Sequence, residues 1–157
     1  MTRSGQLRRR VSRRGARLAA LAAVAAVAFA GCGNSSAALD TGMSDALGAL
    51  TLSGLDGPHE GHSKSVKYLA ATGTAGGDVD QAVADAVASL RDAGFDMSDP
   101  ATAGATGLAA AGRRDDVAVQ IAVFDQIGSR PAPEDSSWVQ VQVVAADADL
   151  AWIPPRS

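Results

Sequence analysis

The residues best equipped for chemistry stand together in "HEGHSK", positions 59–64. His59, Glu60 and His62 bring two imidazoles and a carboxylate within four positions, a donor set suited to zinc or copper. Zinc hydrolases carry H-E-x-x-H on a helix, so that rings four residues apart face one metal. Here the histidines are three apart, Pro58 precedes them and Gly61 intervenes, and the chain has no third histidine. A further ligand would have to be a distant carboxylate. Incidental metal binding by His59, Glu60 and His62 fits this pattern, and a catalytic zinc does not. The competing reading is a solvated hinge.

Other stretches approach known chemistry and stop short. "ATGTAGGD" (71–78) has the glycines of a phosphate loop, but Ala75 breaks G-x-G-x-x-G and no Lys-Ser/Thr follows. Asp78 and Asp80 would also put negative charge where a phosphate must sit, whereas they suit the start of a helix. "GMSDA" (42–46) lacks the final glycine of a serine-hydrolase elbow. The carboxylate pairs Asp78/Asp80, Asp96/Asp99, Asp115/Asp116 and Asp147/Asp149 match neither a calcium loop nor, by sequence, a cleft with an acid and a base. They read as solvated acidic turns.

The elements that would position these groups are clearer. Val79, Ala82, Val83, Ala86, Val87 and Leu90 step at helical spacing, which predicts a helix from Val79 to about Ala93. Asp78 supplies an N-cap that Gln81 can answer as a capping box, and Gly94 with Phe95 suits a Schellman ending. Val66, Tyr68 and Ala70 alternate with Lys67, Leu69 and Ala71 as in a strand, which "GTAGG" (73–77) is expected to break. "LAAAGRRDDVAVQIAVFD" reads as a hairpin around a charged turn, with Val117, Val119, Ile121 and Val123 on one face. After a Pro-containing loop (126–137), Val139, Val141 and Val143 alternate with Gln140 and Gln142. Trp138 then shares the outer face with Gln140 and Gln142, and an aromatic there is either a contact site or is covered by the C-terminal tail.

The amino terminus has a different organisation. Seven arginines without an acid precede a 13-residue apolar run, Leu18 to Ala30, which is too short to cross a bilayer core of about 30 Å. Small residues then lead into the only cysteine of the chain, in "AFAGCGNSS" (28–36). Phe29-Ala30-Gly31-Cys32 resembles the lipobox of bacterial lipoproteins. The resemblance covers the first 32 residues and implies cleavage before Cys32 and a diacylglyceryl group on its thiol. Two acyl chains anchor stably where one does so only marginally. Ordinary cleaved secretion and an uncleaved anchor are the alternatives. Ser12-Arg13-Arg14 partly resembles a twin-arginine signal, which leaves the export route open.

Cleavage before Cys32 would remove seven of the 14 basic residues and none of the 17 acids, leaving a net charge of −10. Such a chain repels nucleic acid and anionic headgroups. The richness in Ala, Gly, Asp and Arg resembles that of actinobacterial lipoproteins. The expected organisation is a signal peptide (1–31), a lipidated cysteine with a flexible tether (32–63), a domain (64–146) and a tail (147–157). Within the tether, Met43, Ala46, Leu47 and Leu50 hint at one short helix. The domain is expected to be α+β, two layers, with one main helix packed on an antiparallel sheet in the order β-α-β-β-β. The expected role is binding at the cell envelope, of a protein or a small ligand, without a cofactor other than the lipid on Cys32. An envelope enzyme with a carboxylate site and a metal-handling lipoprotein are the rival readings.

Overall fold

The computed structural model describes residues 34–63 and 66–147. The expected signal peptide (1–31), Cys32, Trp152 and the Pro154-Pro155 pair lie outside the described residues. In chain order the elements are α1 (Asn34–Ala49), β1 (Ser53–Ser63), β2 (Val66–Gly76), α2 (Val79–Asp92), β3 (Asp96–Met97) and β4 (Ala101–Ala103). They continue with β5 (Gly107–Arg114), β6 (Val117–Phe124), β7 (Gln126–Ile127), β8 (Arg130–Pro131) and β9 (Ser136–Ala145).

Seven strands form one antiparallel sheet in the order β1-β2-β9-β6-β5-β3, with β4 also paired to β5. β9, the last strand among the described residues, therefore lies in the middle of the sheet. Alternation sends Val119, Ile121, Val123, Val139, Val141 and Val143 to one face, and each is fully buried. On that face they share a core with Val83, Val87 and Leu90 of α2 and with Leu39, Met43 and Ala46 of α1. This is the expected two-layer α+β arrangement, with two helices on the sheet rather than one.

α2 forms where the sequence places it. The backbone N–H of Gln81 donates to Asp78 Oδ1 at 2.9 Å, which satisfies one of the helix's free donors. The Gln81 side chain donates instead to Asp85 Oδ1 at 2.8 Å, so the reciprocal half of the capping box does not form. At the other end Gly94 has φ 90°. Phe95 N–H donates to Leu90 O at 3.0 Å and Gly94 N–H to Arg91 O at 2.9 Å, the two bonds of a Schellman ending.

The stretch expected as a flexible tether is ordered from Asn34 onward. α1 buries Leu39, Met43 and Ala46, spaced i, i+4, i+7, against the sheet. Arg114 ties it to the rest of the layer, because the guanidinium pairs with Asp45, donates to Ala93 O at 2.9 Å and stacks 4.4 Å from the Phe95 ring centroid. β1 then pairs with β2 along its length, with irregularities between Ser53, Asp56 and His59. Nor does "GTAGG" break β2, which runs to Gly76 because Gly73 to Gly76 pair with Val139 to Ser136 of β9. The absence of a side chain on Gly73 lets Leu52 pack against it: a Cβ there would come within 3.2 Å of Leu52 Cβ. The turn falls at Gly77, φ 92°. The Pro-containing loop holds the small β7–β8 ribbon.

Candidate functional site

Three places bear on function. On the outer face of the sheet, β9 presents Trp138, Gln140, Gln142 and Val144 in one row. Trp138 lies between Thr74 and Phe124, Gln140 between Thr72 and Ala122, and Gln142 between Ala70 and Gln120. The three expected contact residues thus share a face, but two of them are shielded: Trp138 is only 7% exposed and Gln142 8%. The β7–β8 ribbon covers Trp138, placing the Arg130 guanidinium 4.4 Å from the ring centroid and packing Ile127 and Ala132 beside it. The Pro131 and Pro133 loop therefore acts as a lid on the tryptophan. The Trp138 indole N–H and Gln140 Oε1 are both buried and have no hydrogen-bond partner among the described residues.

The histidine segment lies on β1, an edge strand. Because side chains alternate along a strand, His59 opposite Ala70 and Glu60 opposite Leu69 point to opposite faces, and His62 shares the face of Glu60. His59 Nε2 lies 3.1 Å from Asp56 Oδ1. His62 Nε2 lies 3.9 Å from Glu60 Oε1, while Lys67 Nζ lies 2.7 Å from Glu60 Oε2. The hydrogen bond from Lys67, helped by the positive charge nearby, holds the Glu60 carboxyl below its usual pKa. His59 and His62 are thus three residues apart and on opposite sides of the ribbon, whereas helical spacing would bring two rings together. Among the described residues no three His, Cys, Asp or Glu side chains converge as a metal site.

The third place has no counterpart in the sequence reading. A cleft of about 290 Å³ opens between the α1–β1 link, the end of β2 and α2. Ala82, Ala86 and Ser89 form one stripe of α2, and with Ala75 and Gly76 of β2 they are too short to fill the space beneath Leu50 and Leu52. Val139 closes the floor, while Thr51, Asp85 and Ser89 supply polar groups. Asp85 is the sole carboxylate among the lining residues, and Gln81 holds it by the hydrogen bond described above. Chemically the cleft offers apolar contact with a few hydrogen-bonding groups and one negative charge, the mixture of small-molecule sites. Its wall comes from four separate stretches of chain, so no local motif announces it; the Ala82-Ala86-Ser89 stripe is the nearest signal.

No protein-family model matches the chain, and no match is found among the curated proteins or the solved structures.

Proposed function

We propose that the protein is an exported lipoprotein, anchored through Cys32 to the extracytoplasmic face of its membrane, where it serves as a binding module rather than an enzyme. The anchor rests on the basic, apolar and small-residue order of the first 31 residues and their lipobox-like ending. The binding role rests on one observation, the cleft lined by Leu50, Leu52, Ala75, Ala82, Ala86 and Val139 with a single carboxylate at Asp85. Acid–base catalysis on the pattern of paired carboxylates needs two such groups across a cleft, whereas enclosing a small apolar group needs what is present.

Intact-mass analysis of detergent-extracted protein from its native host tests the anchor. The expected mass is residues 32–157 plus acyl chains, lost in Cys32→Ala. Fluorescence titration with a neutral apolar dye, Nile red, tests the cleft. Ser89→Phe, at a half-buried position of the wall, is expected to weaken dye binding at least tenfold while leaving the thermal midpoint close to that of the parent. Equal dye binding by the parent and the filled variant removes the cleft as the site.

A further inference from the structure

The order of α1 has a geometric implication for the anchor. Helix α1 begins at Asn34, two residues after Cys32, and is fastened to the sheet through Leu39, Met43 and Ala46. At a reach of at most about 3.6 Å per residue, two residues span about 7 Å. An acyl group on Cys32 would therefore sit against the end of the domain at which α1 starts, with no tether between them.

That end can be identified from the register. Lys67 Nζ donates to Ser36 Oγ at 3.0 Å, which places the first turn of α1 beside the β1–β2 end of the sheet. The same end carries the Ser63–Val66 pair, the Asp115-Asp116 turn between β5 and β6, and the end of β9, since Ala145 pairs with Val117 and Ala146 N–H donates to Asp116 O at 2.9 Å. A groove of about 390 Å³ lined by Ala37, Ala38, Arg114 and Val117 opens there. The opposite end holds the α1–β1 link, Gly77, the β7–β8 ribbon and the cleft.

Charge does not divide the two ends: at the α1-start end Lys67 pairs with Glu60, Arg91 with Asp99 and Arg114 with Asp45, so the orientation follows from the short span between Cys32 and α1.

We infer that the α1-start end, formed by the first turns of α1, the Ser63–Val66 pair and the Asp115-Asp116 turn, is the surface that lies against the lipid headgroups, and that the cleft end projects outward. This rests on the reading of Cys32 as the lipidated residue. Eight residues of β6 make the separation of the two ends about 26 Å.

The test uses the acylated full-length mature protein in vesicles of phosphatidylcholine and phosphatidylglycerol carrying a headgroup nitroxide. With Cys32 acylated, an introduced cysteine is the sole free thiol. A fluorophore at Asp116→Cys is expected to be quenched at least threefold more than one at Glu134→Cys, and a 15-residue Gly/Ser insertion between Gly33 and Asn34 is expected to abolish the difference. Equal quenching at both positions, on protein whose intact mass carries the acyl chains, overturns the orientation and leaves the anchor standing. A mass without acyl chains removes the anchor and the orientation together.

Discussion

Replacing Met43 by alanine asks whether α1 belongs to the domain. Met43 is 1% exposed and lies between Leu39 and Ala46 on the helix face that meets the sheet. Truncating a fully buried methionine removes its transfer free energy and leaves a cavity, which costs about 2–5 kcal/mol. Domains near this size shift by roughly 3–5 °C per kcal/mol, between the ranges for smaller and larger proteins, so a loss of about 3 kcal/mol lowers the midpoint by about 9–15 °C. Leu55→Ala is the control: Leu55 on β1 is 46% exposed, and its loss is expected to change stability by no more than about 0.5 kcal/mol. Both variants would be made in the mature chain with Cys32→Ser and followed by circular dichroism during urea and thermal unfolding. A Met43→Ala midpoint equal to that of the parent would falsify the packed helix and restore the tether.

Further variants probe the remaining elements. Gly48→Ala in α1 is expected to stabilise by about 0.5–1 kcal/mol, since nothing lies within 4 Å of the added methyl, whereas Gly42→Ala, whose methyl would meet Val117 Cγ2 at 3.0 Å, is expected to lose that gain in the same unfolding assay. Glu60 has a lowered pKa in the folded state, so its ion pair with Lys67 stabilises the fold above the unfolded carboxyl pKa and is lost as pH falls through the folded value. Glu60→Gln should accordingly flatten the decline of the urea midpoint in acid, and an unchanged profile argues against the pairing. Arg130→Ala, in a Trp152→Phe background, should shift Trp138 emission to longer wavelength and destabilise by about 0.5–2 kcal/mol through loss of the cation–π contact; unchanged emission refutes the ribbon as a cover.

Legibility in the sequence followed the strength of periodic patterns. α2 announces itself through branched and long apolar residues at 3.6 spacing and through both caps. β6 and β9 do so through valines at spacing two. α1 is obscured because Gly42, Ala46 and Gly48 occupy a helix otherwise rich in Ser, Asp and Ala, so its buried stripe is weakly apolar. β1 has no alternation to read: it is an exposed edge strand, and its glycines accommodate β2. A side chain at Gly61 would collide with the Tyr68 ring, and one at Gly57 would come within 2.8 Å of Ala70 O. That strand is dictated by its neighbour rather than by its own residues. Trp138 lies on the face that alternation along β9 predicts, but its cover comes from a ribbon with little strand propensity of its own. The cleft was invisible for a related reason, since it exists where short side chains from distant positions fail to fill space.

The central position of β9 bears on how the domain comes into being. β2 and β6 do not pair with each other; β9 lies between them and bonds to both. Until residues 136–145 arrive, the earlier chain holds a β1–β2 hairpin and, sharing no strand with it, a β5–β6 hairpin edged by β3 and β4; a two-stranded ribbon such as β1–β2 alone is only marginally stable. The pairing of Tyr68 with Val144 closes a loop of more than seventy residues, an interaction of high contact order that forms late. A chain emerging amino terminus first would thus keep its two halves unjoined until β9 is free to pair with both.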